Sequence, residues 1–305
     1  MIAIDLGSNT FRAIAYDCKT QRWGREFERI VRTADGMHLT GCISDASVER
    51  IVRAAREARE FFDFKEERVV AVTTAAMRMA VNADEVLDRI EVEGGVRFRV
   101  IDDGKEAQLT MRAVRNRLEL LALPADDFVL IDIGGGSTEV MFHRGGAFES
   151  RSFPVGIVTI AQQCEGPDTV RRALETALEP VREYVNAYYA DHGKPATFVA
   201  TAGTPTTIAA FLKGMTYETY DAQQINGTLL SLEQCGEALN GLLALGDAER
   251  ALYVGVGKET LIVAGVVIVQ AFYELLGFDE AVIVDDGLRE GVALAYCSGA
   301  SDSLC

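Results

Sequence analysis

Ile2-Ala3-Ile4-Asp5-Leu6-Gly7-Ser8-Asn9-Thr10 opens the chain, and about 127 residues later Val129-Leu130-Ile131-Asp132-Ile133-Gly134-Gly135-Gly136-Ser137-Thr138-Glu139 repeats its plan. Each is an apolar strand ending in Asp-x-Gly, followed by a turn of small and hydroxyl-bearing residues. A carboxylate at the end of a buried strand can hold a divalent cation or order its waters. The glycines and hydroxyls beyond it let backbone N–H groups close on phosphate oxygens, an approach a Cβ would obstruct. One copy alone is equally well an ordinary strand running into a turn. Other landmarks recur in the same order, however. Val69-Val70-Ala71-Val72-Thr73-Thr74-Ala75 follows Asp5 at nearly the interval at which Phe198-Val199-Ala200-Thr201-Ala202-Gly203-Thr204 follows Asp132. A strand ending Asp-Asp-Gly comes later in each half, at Val100–Gly104 and Ile283–Gly287. The chain therefore reads as two related α/β domains, residues 1–122 and 123–305, whose two loops grip one polyphosphate from both sides.

With 305 residues, 49% of them hydrophobic, the chain can bury two cores. It opens on its first strand, without a basic n-region and apolar h-region, which reads as no signal peptide. Its most apolar stretch, Leu261 to Phe272, is too short to span a bilayer, so no membrane partner is expected. Six cysteines, Cys18, Cys42, Cys164, Cys235, Cys297 and Cys305, show no CxxC pair, and His38, His143 and His192 lack metal-ligand spacing. These features predict reduced thiols in a cytoplasmic protein and no zinc site.

Residues 1–120 carry 20 of the 30 basic and 21 of the 46 acidic side chains, so nearly all of the net charge of −16 lies in the second half. An anionic ligand would be drawn to the first domain and a metal ion to the second. Arg50, Arg53, Arg56 and Arg59 recur every third residue on one helix; they read as a solvated face balanced by Glu49, Glu57 and Glu60, with a phosphate track as the competing reading. No nucleic-acid motif or interleaved aromatic pattern accompanies the arginines, so nucleic acid is not an expected partner.

Periodicity places the motifs. After the first strand, Phe11–Asp17 and Trp23–Thr33 read as a meander, and Ser44 or Asp45 caps a helix to Phe62. Strand Val69–Thr73, helix Ala83–Ile90, strand Arg97–Ile101 and helix Lys105–Leu121 complete the first unit, and Leu123–Asp127 reads as the linker. The second unit inserts one long helix from Asp168 to about Ala190. Strand Phe198–Thr201, a helix from Thr204, a capping-box helix from Ser231, the apolar helix Glu259–Leu276 and strand Ala281–Asp285 follow. The last helix, from Gly287, is expected to pack back on the first domain.

The succession Ile4–Thr10, Val72–Arg78, Lys105–Ala107, Ile131–Glu139, Ala202–Ala209 and Gly287–Gly291 resembles the exopolyphosphatase/guanosine pentaphosphate phosphohydrolase (Ppx/GppA) family, within the actin, Hsp70 and sugar-kinase superfamily. The resemblance covers essentially the whole chain, and the triple glycine extended by Ser-Thr-Glu is its most specific part. It implies two duplicated ribonuclease-H-like α/β domains with an interdomain cleft, and a homodimer, since two-domain members are often dimers. It implies that Asp132 and Glu139 bind Mg²⁺ or another divalent cation, with Asp5 helping through water. Gly7, Ser8 and Asn9 on one side and Gly134, Gly135, Gly136, Ser137 and Thr138 on the other would donate to phosphate oxygens, and Arg78 matches a phosphate-binding arginine. Glu106 matches the general base that activates water, although a glutamate in a helix's first turn is otherwise an ordinary partner of the helix dipole.

Two departures from the family pattern stand out. Gly104-Lys105-Glu106 replaces an acidic run, so Lys105 would either lower the pKa of Glu106 or hold a phosphate. Lys258-Glu259-Thr260 stands where the family often has Arg-Ala-Asp. The implied reaction is metal-dependent removal of the terminal phosphate from inorganic polyphosphate or guanosine pentaphosphate. The alternatives are a non-catalytic alarmone or polyphosphate sensor, and a sugar or acetate kinase of the same superfamily. The Ser-Thr-Glu extension and the lack of a sugar-binding motif count against the kinase.

Overall fold

Strand β1 (Ile2–Leu6) lies at the centre of the first of two sheets in a computed structural model that describes residues 1–201 and 203–299. Its apolar residues are buried on both faces, as expected of a central strand. β2 (Thr10–Asp17) and β3 (Arg22–Ile30) extend it as an antiparallel meander, while β4 (Val69–Thr73) and β5 (Phe98–Val100) pair in parallel on its other side. The order is β3-β2-β1-β4-β5. The second sheet repeats that order with β8 (Ala147–Phe153), β7 (Thr138–Arg144), β6 (Asp127–Ile133), β9 (Thr197–Thr201) and β11 (Glu280–Ile283), and adds β10 (Thr228–Ser231) at the edge. Two α/β units of one ribonuclease-H-like plan are present, as the duplicated motifs predict.

The two compact units are Met1–Ala113 with the chain from Gly287 on, and Val114–Asp286. Linker composition points to Leu123–Asp127, whereas packing divides the chain at 113/114, inside the uninterrupted helix Asp103–Leu120. A boundary within a continuous helix leaves no Gly/Pro punctuation to read. In the first unit the helix Leu288–Cys297 covers one face of the sheet, with Leu288, Val292 and Ala295 against Ala3, Ile14 and Val72. Gly291 permits that packing. A Cβ there would overlap the backbone of Leu109 on the Asp103–Leu120 helix, reaching 2.5 Å from its carbonyl carbon. On the opposite face the helix Asp45–Phe61, capped by Ser44 Oγ accepting from Ser47 N, buries Val48, Ile51, Val52 and Ala55. The second unit's largest core joins Ile131, Val140, Phe142 and Phe198 to the apolar helix Leu261–Leu276. No helix among the described residues is long and apolar enough to cross a membrane.

Three expectations need correction. Cys18, in the β2–β3 turn, forms a disulfide with Cys297 at the end of the last helix, across a separation of 279 residues. Spacing gives no sign of a pair that only packing brings together. Cys42, Cys164 and Cys235 are free, and Cys305, like Ala202, falls outside the described residues, as does the tail of the expected last helix. The long helix of the second unit is two, Pro167–Ala177 and Glu179–His192, because Pro180 cannot donate within a helix and takes a first-turn position of a new one.

In the arginine row Arg53, Arg56 and Arg59 are exposed, as the solvated reading expects, but the row does not lie on one face. Steps of three fall about 60° short of a full turn, so Arg50 and Arg59 end on opposite sides of the helix. Arg50 Nε donates to Val31 O (2.8 Å), Arg56 Nε donates to Glu93 O (2.8 Å), and the Arg59 guanidinium lies over Gly95.

Candidate functional site

The two Asp-x-Gly turns close with the same hydrogen bond. Gly7 N donates to Thr10 O (2.9 Å) and Gly134 N to Ser137 O (2.8 Å). In each unit the segment after the third strand then engages the turn's carbonyls. Thr33 Oγ1 donates to Gly7 O (2.8 Å), Ala34 N to Ser8 O (2.9 Å), and Val31 N and Arg32 N to Asn9 O (2.9 Å each). In the second unit Ile157 N donates to Gly134 O (3.0 Å) and Val158 N to Gly135 O (2.8 Å). Oxygens that would repel an anion are thereby bonded into the fold, which suits both loops to present N–H groups to phosphate.

Gly156, not singled out by its sequence context, makes the second loop possible. A Cβ there would overlap Gly135 O and reach 2.5 Å from the Gly135 carbonyl carbon. The Pro154-Val155-Gly156 turn after β8 is the signal that marks it. Thr138, expected among the phosphate donors, is fully buried, and its hydroxyl donates to Val155 O (2.5 Å). That hydroxyl holds the Gly156 segment against the loop.

Antiparallel pairing of β6 with β7 sets Asp132 directly opposite Glu139, so their side chains share one face of the sheet. Glu139 is only 4% exposed, and its Oε1 accepts from Ser137 Oγ (2.9 Å) and from Ser152 Oγ (2.7 Å) on β8. On the other side of Asp132, Thr201 of β9 is its parallel partner and donates to Asp286 O (2.8 Å). A buried carboxylate must be hydrogen-bonded or held by a cation. Two hard oxygen donors on one face fit Mg²⁺, which commonly takes one or two protein carboxylates and completes its shell with waters and phosphate oxygens. Among the described residues no group of three or more His, Cys, Asp or Glu side chains is placed to hold a metal.

In the first unit the residue opposite Asp5 is Arg12, and opposite Arg12 is Glu28, with Arg12 Nε 3.1 Å from Glu28 Oε2. Asp5 Oδ1 is buried without a hydrogen-bond partner. Burial pushes the Asp5 carboxyl up to about 6, against the pull of Arg12 and Arg289 and with the help of Glu290 and Glu28. Arg289 itself bridges Glu26 (2.7 Å) and Glu290 (2.5 Å), and Glu290 Oε2 accepts from Gly287 N (2.8 Å) at the start of the last helix.

Glu106 lies in the first turn of the Asp103–Leu120 helix, which Asp102 caps by accepting from Lys105 N (2.7 Å). A cation from a distant part of the chain, Arg78, meets Glu106. Arg78 Nη1 donates to Glu106 Oε2 (2.9 Å) and Ile101 O (2.8 Å), and Nη2 pairs with Asp103. Lys105 Nζ donates to Gln108 Oε1 (3.2 Å). The structure thus brings Arg78 to Glu106 in the first unit and Asp132 to Glu139 in the second. Sequence reasoning missed Ser152 and Arg12, although Arg12 stands at the same offset from Asp5 as Glu139 does from Asp132.

The model of the Ppx/GppA phosphatase family matches residues 25–298. The chain belongs to that family. It is 28% identical to exopolyphosphatase 2 of Mycobacterium tuberculosis over 96% of its own length and 97% of that protein's. The crystal structure of the Aquifex aeolicus family member superposes with a TM-score of 0.73 at 28% identity, covering 98% of this chain and 97% of that one. The structure of an exopolyphosphatase from Cytophaga hutchinsonii shares the fold, with a TM-score of 0.83 at 21% identity and 97% coverage of both chains.

Proposed function

We propose that this phosphatase cleaves the terminal phosphoanhydride of inorganic polyphosphate and releases phosphate, with a divalent cation at Asp132 and Glu139 and with Glu106 as general base. The observation that carries the reading is the Asp132–Glu139 pair on one sheet face beside a glycine loop whose carbonyls are bonded elsewhere. Phosphoryl transfer asks little of a protein beyond positioning, charge neutralisation and alignment of water. The N–H groups of the glycine loops hold the phosphate oxygens. Glu106, aimed by Arg78, accepts a proton from water at its carboxylate as the water oxygen bonds to the terminal phosphorus and the bridging P–O bond breaks. When bound, the cation supplies charge neutralisation at the transferring phosphoryl group.

Relatives named exopolyphosphatase favour polyphosphate over guanosine pentaphosphate, which shares the cleaved group. The homodimer implied by the family resemblance is part of this proposal and is read by sedimentation. The deciding assay measures phosphate release from long-chain polyphosphate and from guanosine pentaphosphate, each with Mg²⁺ and with EDTA. Release from polyphosphate that EDTA abolishes is expected. In Glu106→Gln, turnover should fall by ~10²–10⁴ with substrate binding retained, because the amide keeps the shape and loses the base. Near-wild-type turnover in that variant would remove Glu106 from the role. Substrate binding without release by the wild type would establish the sensor instead.

A further inference from the structure

The two sheets carry equivalent cross-strand rows, and the comparison singles out a residue outside every phosphate-family motif. In the first unit the row is Asp5, Arg12, Glu28; in the second it is Asp132, Glu139, Ser152. The offset from first to second member is the same in both. In each row the third-strand side chain grips the charged residue on the second strand, Glu28 on Arg12 at 3.1 Å and Ser152 on Glu139 at 2.7 Å. The fold uses its third strand twice for one task, to fix the charged side chain that stands opposite the strand-end aspartate.

We infer that Ser152 is a positioning residue for the cation-binding carboxylate Glu139. Its hydroxyl donates to Glu139 Oε1 at 2.7 Å. It meets the same oxygen, Oε1, that accepts from Ser137. Two donors on one oxygen, one from the loop and one from the neighbouring strand, fix both the rotamer and the plane of the carboxylate. Hydrogen bonds that orient a ligand typically carry ~10–100-fold in metal affinity. Ser152 is half-buried at the sheet edge and supplies no charge, so its effect is on the geometry of Glu139.

The inference rests on the proposal that Asp132 and Glu139 hold the cation, and the test separates the two. Mn²⁺ alone is titrated into the full-length protein and the free ion is followed by electron paramagnetic resonance, so the readout does not pass through turnover. Ser152→Ala and Ser152→Val should each raise the Mn²⁺ Kd about tenfold or more, and Ser152→Thr, which matches the Val variant in shape but keeps the hydroxyl, should stay within about twofold of wild type. Ser150→Ala, the same chemical change two residues back on β8, should leave the Kd unchanged. Circular dichroism melts confirm that each variant is folded, and the Val variant serves if Ala leaves a destabilising gap. Wild-type affinity in the folded Ser152→Ala and Ser152→Val variants, with affinity lost in Glu139→Gln, would overturn the role of Ser152 while leaving the cation site standing. Wild-type affinity in Glu139→Gln as well would overturn both.

Discussion

Gly156→Ala tests how tightly the second phosphate loop is held by the chain that follows β8. The new Cβ would lie 2.5 Å from the carbonyl carbon of Gly135, where ordinary contacts begin near 3.4 Å, and the obstructing atoms are backbone. Either the loop or the 155–158 segment must move by about 1 Å. That displacement breaks or stretches the bonds from Ile157 N and Val158 N to Gly134 O and Gly135 O, and the bond from Thr138 Oγ1 to Val155 O. At about 1 kcal/mol net for each bond, the variant should lose about 2–4 kcal/mol of stability. For a unit of this size that corresponds to a Tm lower by roughly 5–15 °C.

The functional cost should be larger than the loss of stability suggests. A loop moved by about 1 Å no longer meets the phosphate oxygens, and misplacement on that scale costs on the order of 10² in rate. The assays are a thermal melt and kcat/KM for phosphate release, run well below the variant's Tm. Gly246→Ala is the matched control. Its φ is −69° and a Cβ there meets nothing within 4 Å, so it should cost no more than the N-cap difference between glycine and alanine, under about 1 kcal/mol, and should leave kcat/KM unchanged. A Gly156→Ala protein with wild-type Tm and kcat/KM would refute the claim that backbone contact with this glycine shapes the loop.

Arg78→Lys keeps the charge but cannot fork between Ile101 O, Glu106 and Asp103; if Arg78 mainly aims Glu106, kcat should fall ~10–100-fold with KM changed less than about twofold. A raised KM with kcat intact would instead assign Arg78 to substrate phosphate. Cys18→Ser, or reduction of the wild type with a dithiol, should lower stability by about 2–4 kcal/mol, because the bridge closes a loop of almost the whole chain; identical melts of oxidised and reduced protein would contradict this. His143, 3% exposed, has its pKa pushed below the ordinary histidine value by burial and by Arg115. The unfolded chain then takes up a proton first as pH falls through about 6.5, so stability drops below that pH, and His143→Phe should flatten this acid-side slope in melts between pH 7 and 5.

The elements legible in the sequence are those whose evidence is local. Alternation along β2 and β3, the Ser44 and Ser231 caps and the duplicated Asp-x-Gly turns all lie within a few residues, and all appear in the structure where their pattern places them. What was not legible depends on packing between distant segments. The Cys18–Cys297 bond, the close approach of Gly291 to Leu109 and that of Gly156 to Gly135 each join residues that carry no mutual signal in one sequence. The bond from Arg78 to Glu106 spans 28 residues and depends on β5 and the start of the next helix lying beside the end of β4. Neighbours along a helix point about 100° apart, so adjacency in the chain gives no sign of the Arg78 contact.

The duplicated turns look alike, yet one position seven residues beyond each aspartate makes them chemically different. Opposite-charge partners across a strand pair stabilise it and like charges directly opposite destabilise it. Asp5 faces Arg12, so the first row sets an arginine between its two carboxylates, Asp5 and Glu28. Asp132 faces Glu139, and two unit negative charges about 5 Å apart repel by about 3 kcal/mol at an effective dielectric near 20. Serine hydroxyls on Glu139 can orient that pair but bring no positive charge to it. The exchange of arginine for glutamate at one aligned position makes the second row the more acidic of the two, which is why the proposed cation is placed there.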